Sequence, residues 1–184
     1  MENREPITIA FVTGNARKFA EAQHEIPQLT QLALDLPEIQ ELDSRKIIAA
    51  KVEAARANYT GALMVDDVSL ELLALNGFPG PLIKWLLASN GNEGVWKIAS
   101  SLGDTRARAI CTLGYAVGDE VQYFVGVVEG KIIAPRGPGT GWDPVFVPTG
   151  ETKTYGEMTL AEKNAQSHRG IALAKLKEYL HAHE

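Results

Sequence analysis

Apolar runs alternate with amphipathic stretches in the first part of the chain. Residues 7–12 form a nearly continuous apolar run that ends at a turn, which predicts a buried strand. From Ala16 to the stop at Pro27, apolar positions recur near one helical face, with Glu21 among the polar residues off that face. Residues 32–36 then alternate as a second strand would. A strand, a helix and a strand open an α/β fold.

The pattern continues with a helix that Asp43 or Ser44 begins and that runs to about residue 58. Residues 62–65 are a short apolar run that stops at two adjacent acids, Asp66 and Asp67, which predicts a strand ending there. Further predictions are a loop over residues 76–81 and helices over 82–89 and 95–102, separated by 90–92.

The second half of the chain favours antiparallel strands. Residues 106–117 and 121–128 are strand-like and are separated by a turn, which predicts a hairpin. The remaining predictions are a loop over 135–141, a brief strand over 145–147 and helices over 160–168 and 171–180. The sum is a mixed sheet flanked by helices. With 184 residues, we expect one domain over 1–184, built as two lobes on one sheet.

Composition narrows the function classes. The net charge of −5 argues against nonspecific binding to nucleic acid, which needs many cationic side chains. The single cysteine, Cys111, excludes an intrachain disulfide and a multi-cysteine zinc site, so a reducing, cytoplasmic setting is expected. We expect neither a signal peptide nor a membrane helix, because no apolar run approaches about 20 residues.

The turn over residues 13–18 joins a predicted strand to a predicted helix. Such a turn presents backbone N–H groups and the positive end of a helix to an anion. Gly14 lets the backbone approach a ligand closely, and Lys18 adds a full charge. The glycine pair and the Lys-Ser/Thr pair of a P-loop are absent. A plain strand-to-helix turn with a solvated lysine is the alternative.

Four carboxylates follow predicted strand ends. Asp66 and Asp67 are adjacent, so in an extended chain their side chains point in opposite directions. Glu38 and Glu41 follow the strand predicted over residues 32–36. Mg²⁺ prefers oxygen ligands and takes one or two carboxylates together with water and substrate phosphates. These acids therefore indicate a magnesium site, unless they are ordinary loop or cap residues.

Two later segments carry groups that suit a nucleobase. Residues 141–144 combine the stackable ring of Trp142 with the acceptor Asp143 between rigid flanks. Residues 163–169 are the densest polar cluster of the chain, in which helical spacing places Asn164 and His168 on one face. The alternatives are that the tryptophan fills the core and that the polar cluster caps a helix.

Read together, segments in order along nearly the whole chain resemble the inosine triphosphate pyrophosphatase family. They are residues 11–18, 36–38, 65–67, 78–85, 134–137, 141–144 and 161–169. The family converts non-standard purine triphosphates to monophosphates. The resemblance implies an α/β fold with a long, bent mixed sheet, two lobes with a nucleotide cleft between them, and a homodimer. It implies a Mg²⁺-dependent enzyme that hydrolyses ITP, dITP and XTP to the monophosphate and pyrophosphate.

The resemblance also assigns site residues. Phosphate-binding positions are Thr13, Gly14, Asn15, Lys18, Lys51 and Lys84. Glu38 and Asp67 would hold Mg²⁺, and Asp67 would be the base that activates water. The positions around the nucleobase are Thr140, Gly141, Trp142, Asp143, Lys163, His168 and Arg169. Val68 is a further substrate-binding position, where the hydroxyl usual in the family could touch the phosphate or the metal-bound water.

Two positions depart from the family pattern. Val68 follows Asp67 where the family has Ser or Thr, and Thr140 stands where the family has a Phe that stacks on the purine. Losing a base-aromatic stack costs about 1–3 kcal/mol. The alternatives are therefore a nucleotide-binding protein with little or no catalysis, and an enzyme of the same reaction type with an altered choice of base.

Overall fold

The computed structural model describes residues 8–183, which are organised around a mixed seven-stranded sheet. The strands are β1 (Ile9–Val12), β2 (Leu29–Leu32), β3 (Leu63–Leu72), β4 (Pro79–Gly80), β5 (Arg106–Val117), β6 (Glu120–Ile132) and β7 (Phe146–Pro148). They lie in the order β2-β1-β3-β5-β6-β7, with β4 paired to β3. β1 is parallel to β2 and β3, and the other pairings are antiparallel. Residue 7, the predicted start of the first strand, lies outside the described residues.

Five α-helices flank this sheet, and side-chain caps explain where most of them begin. They are α1 (Ala16–Glu25), α2 (Ser44–Arg56), α3 (Ile83–Ser101), α4 (Leu160–Asn164) and α5 (His168–Ala182). Asn15, Asp43 and Ser167 accept hydrogen bonds from the first backbone N–H groups of α1, α2 and α5. α4 begins with a capping box. None of the helices within residues 8–183 is long and apolar enough to cross a bilayer.

The core lies on both faces of the sheet. On one face, α1 and α5 pack against β1, β3 and β5 through residues such as Phe11, Met64 and Leu176. On the other face, α2 packs through Ile48 and Val52 against the apolar side chains of β1 and β3. A third cluster at the far end of the sheet joins α3 to β3, β5 and β7. This arrangement confirms the predicted α/β class with a mixed sheet between helices.

The predicted strand over residues 32–36 is wrong. The strand in this part of the chain is β2 (Leu29–Leu32), and residues 33–43 have no regular structure. β2 pairs with β1 from Ile9 opposite Leu29 to Val12 opposite Leu32, and β1 then ends. Later residues therefore have no partner strand, and the alternating leucines pack against the α2 cluster instead. Their alternation reflects burial rather than pairing.

The predicted end of a strand at Asp66 is also wrong. β3 continues through both acids to Leu72, because β5 pairs with every one of its residues from Leu63 onward. The two helices predicted over 82–89 and 95–102 are confirmed as two helical segments within α3, which are separated by a kink at the non-helical Gly91 with φ of 62°. The helix predicted over 160–168 ends at Asn164, because Ser167 begins α5 as its cap.

Candidate active site

Two cavities share Asn15, Lys18 and Lys84 among their lining residues. The first, of about 770 Å³, is here called the loop cavity, because residues 33–36 form part of its wall; it is also lined by Thr13, Gly14, Glu38, Lys51, Asp66 and Trp85. The second, of about 600 Å³, is called the aromatic cavity. Its walls include Arg17, Glu21, Val68, Asn92, Thr140, Gly141, Trp142, Asp143, Lys163, His168 and Arg169. Of the predicted site residues, only Asp67 lines neither cavity.

The turn over residues 13–18 uses its own side chains to hold its shape. Asn15 Oδ1 accepts hydrogen bonds from the backbone nitrogens of Arg17 and Lys18, each at 3.1 Å. Thr13 Oγ1 accepts one from the backbone nitrogen of Asn15, also at 3.1 Å. The oxygens of Thr13 and Asn15 therefore shape the turn, while the ammonium group of Lys18 extends beyond it and lines both cavities.

Lysine and carboxylate side chains meet in the loop cavity. Lys84 Nζ donates to Glu38 Oε2 at 2.7 Å, and this hydrogen bond lowers the pKa of the Glu38 carboxyl below its ordinary value. The buried Lys51 Nζ donates to the backbone oxygen of Asp66 at 2.9 Å. It also lies 3.6 Å from Glu38 Oε1 and 4.0 Å from Asp67 Oδ1. One lysine thus links the two predicted metal-binding acids.

Asp66 and Asp67 point to opposite faces of β3, as predicted for an extended chain. Asp66 turns toward α1 and α5, where Lys18 Nζ lies 3.1 Å from each of its oxygens and Arg169 Nη2 donates at 3.1 Å. Burial by itself raises the pKa of the Asp66 carboxyl, but Lys18 and Arg169 outweigh it and hold the pKa well below its usual range. Asp66 is therefore ionised and holds the side chains of Lys18 and Arg169 in place.

Asp67 turns toward α2. Ser44 Oγ, at the first turn of α2, donates to Asp67 Oδ2 at 2.8 Å and lies 3.2 Å from Ser69 Oγ. Burial raises the pKa of the Asp67 carboxyl above its ordinary value, which makes this group a stronger proton acceptor than an exposed aspartate. The two neighbouring acids thus have opposite pKa shifts. Such a division is typical of acid-base sites.

Glu38 and Asp67 suit Mg²⁺ by the chemistry of their donor atoms. Both present carboxylate oxygens near the same ammonium group of Lys51, so they converge on one region. Within residues 8–183, no group of three or more His, Cys, Asp or Glu side chains is placed to hold a metal. Mg²⁺ needs only one or two carboxylates when a phosphate ligand completes its shell. Glu41 lies away from this region, because it pairs with Lys46 and caps the loop before α2.

Packed aromatic rings form one wall of the aromatic cavity. The ring centroid of Trp142 lies 5.2 Å from that of His168 and 5.5 Å from that of Phe146, so this tryptophan lines the cavity and also fills the core. His168 is buried, and its Nδ1 has no hydrogen-bond partner among the described residues. Burial, together with the cations Arg169 and Lys163, holds the pKa of His168 well below 6.5, so the imidazole is neutral at pH 7.

Buried ion pairs adjoin these rings, and Lys163 Nζ lies 5.4 Å from the ring centroid of Tyr155. Lys163 Nζ donates to Asp143 Oδ2 at 2.7 Å, and each of these side chains is only 8% exposed. Arg169 donates to both Glu21 and Asp66. These pairs fix the donors in place before any ligand arrives, because a displaced partner would leave a buried charge uncompensated.

Three polar residues that line the aromatic cavity have no role predicted from the sequence. Glu21, expected off the buried face of α1, is 4% exposed and binds Arg169. Arg17 reaches across the cavity to Thr140, and Asn92 donates to the backbone oxygen of Gly141 at 2.9 Å. Glu21 follows Lys18 by three residues, which places both on one side of α1 and is the signal by which it could have been found.

The mixed sheet thus carries a cleft in which lysines and carboxylates adjoin an aromatic cavity, an arrangement that suits an α/β enzyme acting on a charged, partly aromatic substrate. The model of the Ham1 family matches residues 9–179, and the chain belongs to that family. The predicted family and the predicted class of enzyme, a hydrolase that acts on acid anhydrides, are confirmed.

Known relatives align with this chain over nearly its whole length. It is 42% identical to the inosine triphosphate pyrophosphatase of Batrachochytrium dendrobatidis, over 94% of this chain and 93% of that protein. It is 37% identical to the protein of the same name from Schizosaccharomyces pombe, over 94% and 95%. Among solved structures, the Ham1 protein of Coxiella burnetii is 27% identical with a TM-score of 0.80, covering 95% of this chain and 98% of that one. The Ham1 protein of Staphylococcus aureus is 26% identical with a TM-score of 0.75, covering 96% and 99%.

Proposed function

We propose that this protein is a Mg²⁺-dependent nucleoside triphosphate pyrophosphatase that converts ITP, dITP and XTP to the monophosphate and pyrophosphate. One observation carries the proposal. A cavity lined by three lysines and Glu38 shares Lys18 with a second cavity that is lined by aromatic rings and buried ion pairs. A nucleotide needs both environments, one for its phosphates and one for its base. The names of the curated relatives support this assignment.

In this proposal the triphosphate lies in the loop cavity. Lys18, Lys51 and Lys84 neutralise the charge of the phosphate oxygens, and the charge that develops on the departing pyrophosphate. Glu38 and Asp67 hold Mg²⁺, which, when bound, adds charge neutralisation and orients phosphate oxygens and water. The position of Lys51 beside both carboxylates keeps the two acids together before the nucleotide arrives.

Asp67 is the proposed base for the attacking water. With no metal bound, burial raises its pKa and outweighs the opposing effects of Lys51 and of the hydrogen bond from Ser44, which orients the carboxylate. Lys51 Nζ lies 4.0 Å from Asp67 Oδ1 and lines the loop cavity. The transferred proton then resides on the Asp67 carboxyl, and the hydroxyl forms the new bond to the α-phosphorus. The bond from that phosphorus to the bridging oxygen breaks, and this oxygen leaves with pyrophosphate.

In this proposal the aromatic cavity recognises the base. A 6-oxopurine presents an acceptor where adenine presents an amino donor. Arg169 carries guanidinium donors that are fixed by two buried carboxylates, and the neutral His168 lies beside it. Fixed donors favour a carbonyl oxygen and reject an amino group, because the latter would leave a buried donor unpaired.

The test is pyrophosphate release with Mg²⁺ from inosine, xanthosine, guanosine, adenosine, uridine and thymidine triphosphates. We expect fast release from the first two and a loss of about 10²-fold or more in Asp67→Asn, in the range of losing a general base. The matched control is Asp104→Asn, which removes an exposed carboxylate paired with Arg106 and should leave release unchanged. Release that is absent from every triphosphate, or insensitive to Asp67→Asn, would contradict the proposal.

A second candidate is the same reaction with a different choice of base. It is favoured by Thr140, which lines the aromatic cavity with a hydroxyl that accepts a hydrogen bond from Arg17 at 3.2 Å. The triphosphate panel decides between the candidates, because activity confined to a pyrimidine or to guanosine triphosphate favours this one. Tight nucleotide binding with background turnover would instead favour a binding protein.

The homodimer, the cytoplasmic location and the single domain over residues 1–184 remain predictions of the family resemblance and the composition. Exposed Trp85 and Phe78 are large apolar side chains that a partner subunit would cover. Light scattering of the purified chain tests the dimer, and a mass near 20.0 kDa would contradict it.

A further inference from the structure

Arg17 spans the aromatic cavity. It projects from the first turn of α1, and its Nη1 donates to Thr140 Oγ1 at 3.2 Å, although the two residues are 123 positions apart in the chain. Its Nη2 lies 3.5 Å from Asp143 Oδ2, and its Nε lies 3.4 Å from Glu21 Oε1. One guanidinium group is thus held from both sides of the cavity.

These contacts leave the flat faces of the guanidinium group available. Hydrogen bonds and ion pairs to guanidinium approach its edge, where the N–H groups point. Nη1 donates to Thr140 in this way, and Nε and Nη2 form ion pairs with Glu21 and Asp143. The side chain is nevertheless 44% exposed and lines the aromatic cavity, so part of the group is open to a ligand there. Three anchors fix its orientation, which lowers the entropy cost of a further contact.

The two aromatic rings that line the cavity, Trp142 and His168, are far less exposed than Arg17. They are 6% and 3% exposed and pack against each other and against Tyr155. Arg guanidinium stacks on aromatic faces through cation-π and dispersion contacts.

We propose that the guanidinium group of Arg17 stacks on the nucleobase, with Thr140 serving as the hydrogen-bond acceptor that holds it in place. This inference rests on the proposed function, because it names the group that covers one face of the base in the aromatic cavity. Arg17 then contributes to affinity for the nucleoside part of the substrate and not to affinity for its phosphates.

The first experiment measures binding by titration calorimetry with two probes, inosine monophosphate and inorganic tripolyphosphate. Arg17→Lys keeps the charge and removes the plane. We expect the Kd for inosine monophosphate to rise about tenfold in this variant, the size of a lost base stack, while the Kd for tripolyphosphate changes by less than about twofold. The matched control is Arg108→Lys, because Arg108 is equally exposed and ion-paired, with Glu71, outside the site. It should bind both probes as the unaltered protein does.

A rescue variant separates stacking from a structural role. In Arg17→Ala, both the plane and the charge are lost, and adding Thr140→Phe returns a ring to the same side of the cavity. We expect the double variant to recover most of the affinity for inosine monophosphate. Recovery would not occur if Arg17 only tied α1 to the loop that carries Thr140, so an unrecovered double variant with a native circular dichroism spectrum overturns the proposal.

Each remaining outcome also decides the matter. Equal weakening of both probes in Arg17→Lys would place the guanidinium on the phosphates and overturn the inference. Unchanged binding of both probes would overturn it as well, and if the same protein still released pyrophosphate in an Asp67-dependent manner, the proposed function would stand. Unaltered protein that binds no inosine monophosphate and releases no pyrophosphate would overturn the proposed function and this inference with it.

Discussion

The loop cavity and the aromatic cavity are built from charged residues in different ways. In the loop cavity the cation Lys84 is 67% exposed and its partner Glu38 is 48% exposed. In the aromatic cavity Lys163 and Asp143 are each 8% exposed, and Arg169 is 9% exposed. Exposed pairs are weak and can separate, whereas buried pairs resist separation.

This difference matches the two tasks of a nucleotide site. Phosphates and Mg²⁺ carry their own large charges, so a movable lysine and a carboxylate can exchange partners when the ligand arrives. A base carries only partial charges, so the protein donors that bind it must already be in place and shielded from water. The buried pairs of the aromatic cavity are therefore preorganised by the fold. In the loop cavity Lys51 is also buried and held in place, but the exposed pair of Lys84 and Glu38 can rearrange around the ligand. The following predictions test this contrast.

The largest expected effect is on stability, at the buried ion pairs. Arg169→Ala leaves the carboxylates of Glu21 and Asp66 with one cationic partner fewer, so the free energy of unfolding should fall by about 3–5 kcal/mol. Urea denaturation at pH 7 measures this change. Arg106→Ala, which breaks an exposed pair with Asp104, is the control and should leave the midpoint nearly unchanged. Similar urea denaturation midpoints for both variants would contradict the proposed difference between buried and exposed ion pairs.

The next effect is on catalysis, at Lys18, one of the residues that line both cavities. Lys18→Ala should lower kcat/KM by about 10²–10³-fold, the size of one lost electrostatic contact in a transition state. The loss should be the same for every triphosphate, because a phosphate contact does not read the base. Steady-state kinetics with inosine and xanthosine triphosphates measure it, beside Lys46→Ala, whose exposed lysine pairs with Glu41. A loss for one base alone would place Lys18 in base recognition.

A smaller effect concerns pH and the buried imidazole. The folded state holds the pKa of His168 below 6.5, so as the pH falls through 6.5 the unfolded chain takes up a proton that the folded chain refuses. Because of this group, the free energy of unfolding should be about 1 kcal/mol lower at pH 5.5 than at pH 7.5. Urea denaturation at both values tests it. His168→Gln should remove this part of the pH dependence, and His24→Gln, at an exposed position, should keep it. A His168→Gln protein with the full pH dependence would refute the assignment.

The smallest effect concerns Val68, one of the two departures from the family pattern. Its side chain lies on the face of β3 opposite to Asp67 and packs against apolar residues beside the aromatic cavity. Val68→Thr should therefore cost stability by about 1 kcal/mol, through a partly buried hydroxyl, and should leave the Mg²⁺ dependence of release unchanged. Thermal unfolding and a Mg²⁺ titration measure the two effects. A shifted Mg²⁺ dependence would show that this side chain reaches the metal.

The parts of the site that lie within one short segment were predictable. The turn over residues 13–18 joins β1 to α1 as its apolar run and its glycine indicate, and the alternation of an extended chain places Asp66 and Asp67 on opposite faces. The strand over residues 32–36 and the strand end at Asp66 were wrong for a common reason. A local pattern reports burial, while pairing depends on where a distant partner strand begins and ends.

The burial of Glu21 shows the same limit for charges. Its carboxylate is buried against Arg169 from the neighbouring helix α5. The spacing of Glu21 from Lys18 within α1 indicates a shared side of the helix but not this distant partner. The roles assigned to the site residues remain predictions that the experiments above test.

The amino-acid sequence by itself determined the α/β class, the order of most helices and strands, the family and the class of enzyme, because periodicity, caps and short motifs are local properties. Only the tertiary structure decided which carboxylate faces which cation, that Asp67 stands behind Lys51, and that Arg17 meets Thr140 above the aromatic cavity. The physical reason is that these pairs join residues far apart in the chain, and their distances and dielectric surroundings exist only after the sheet has assembled.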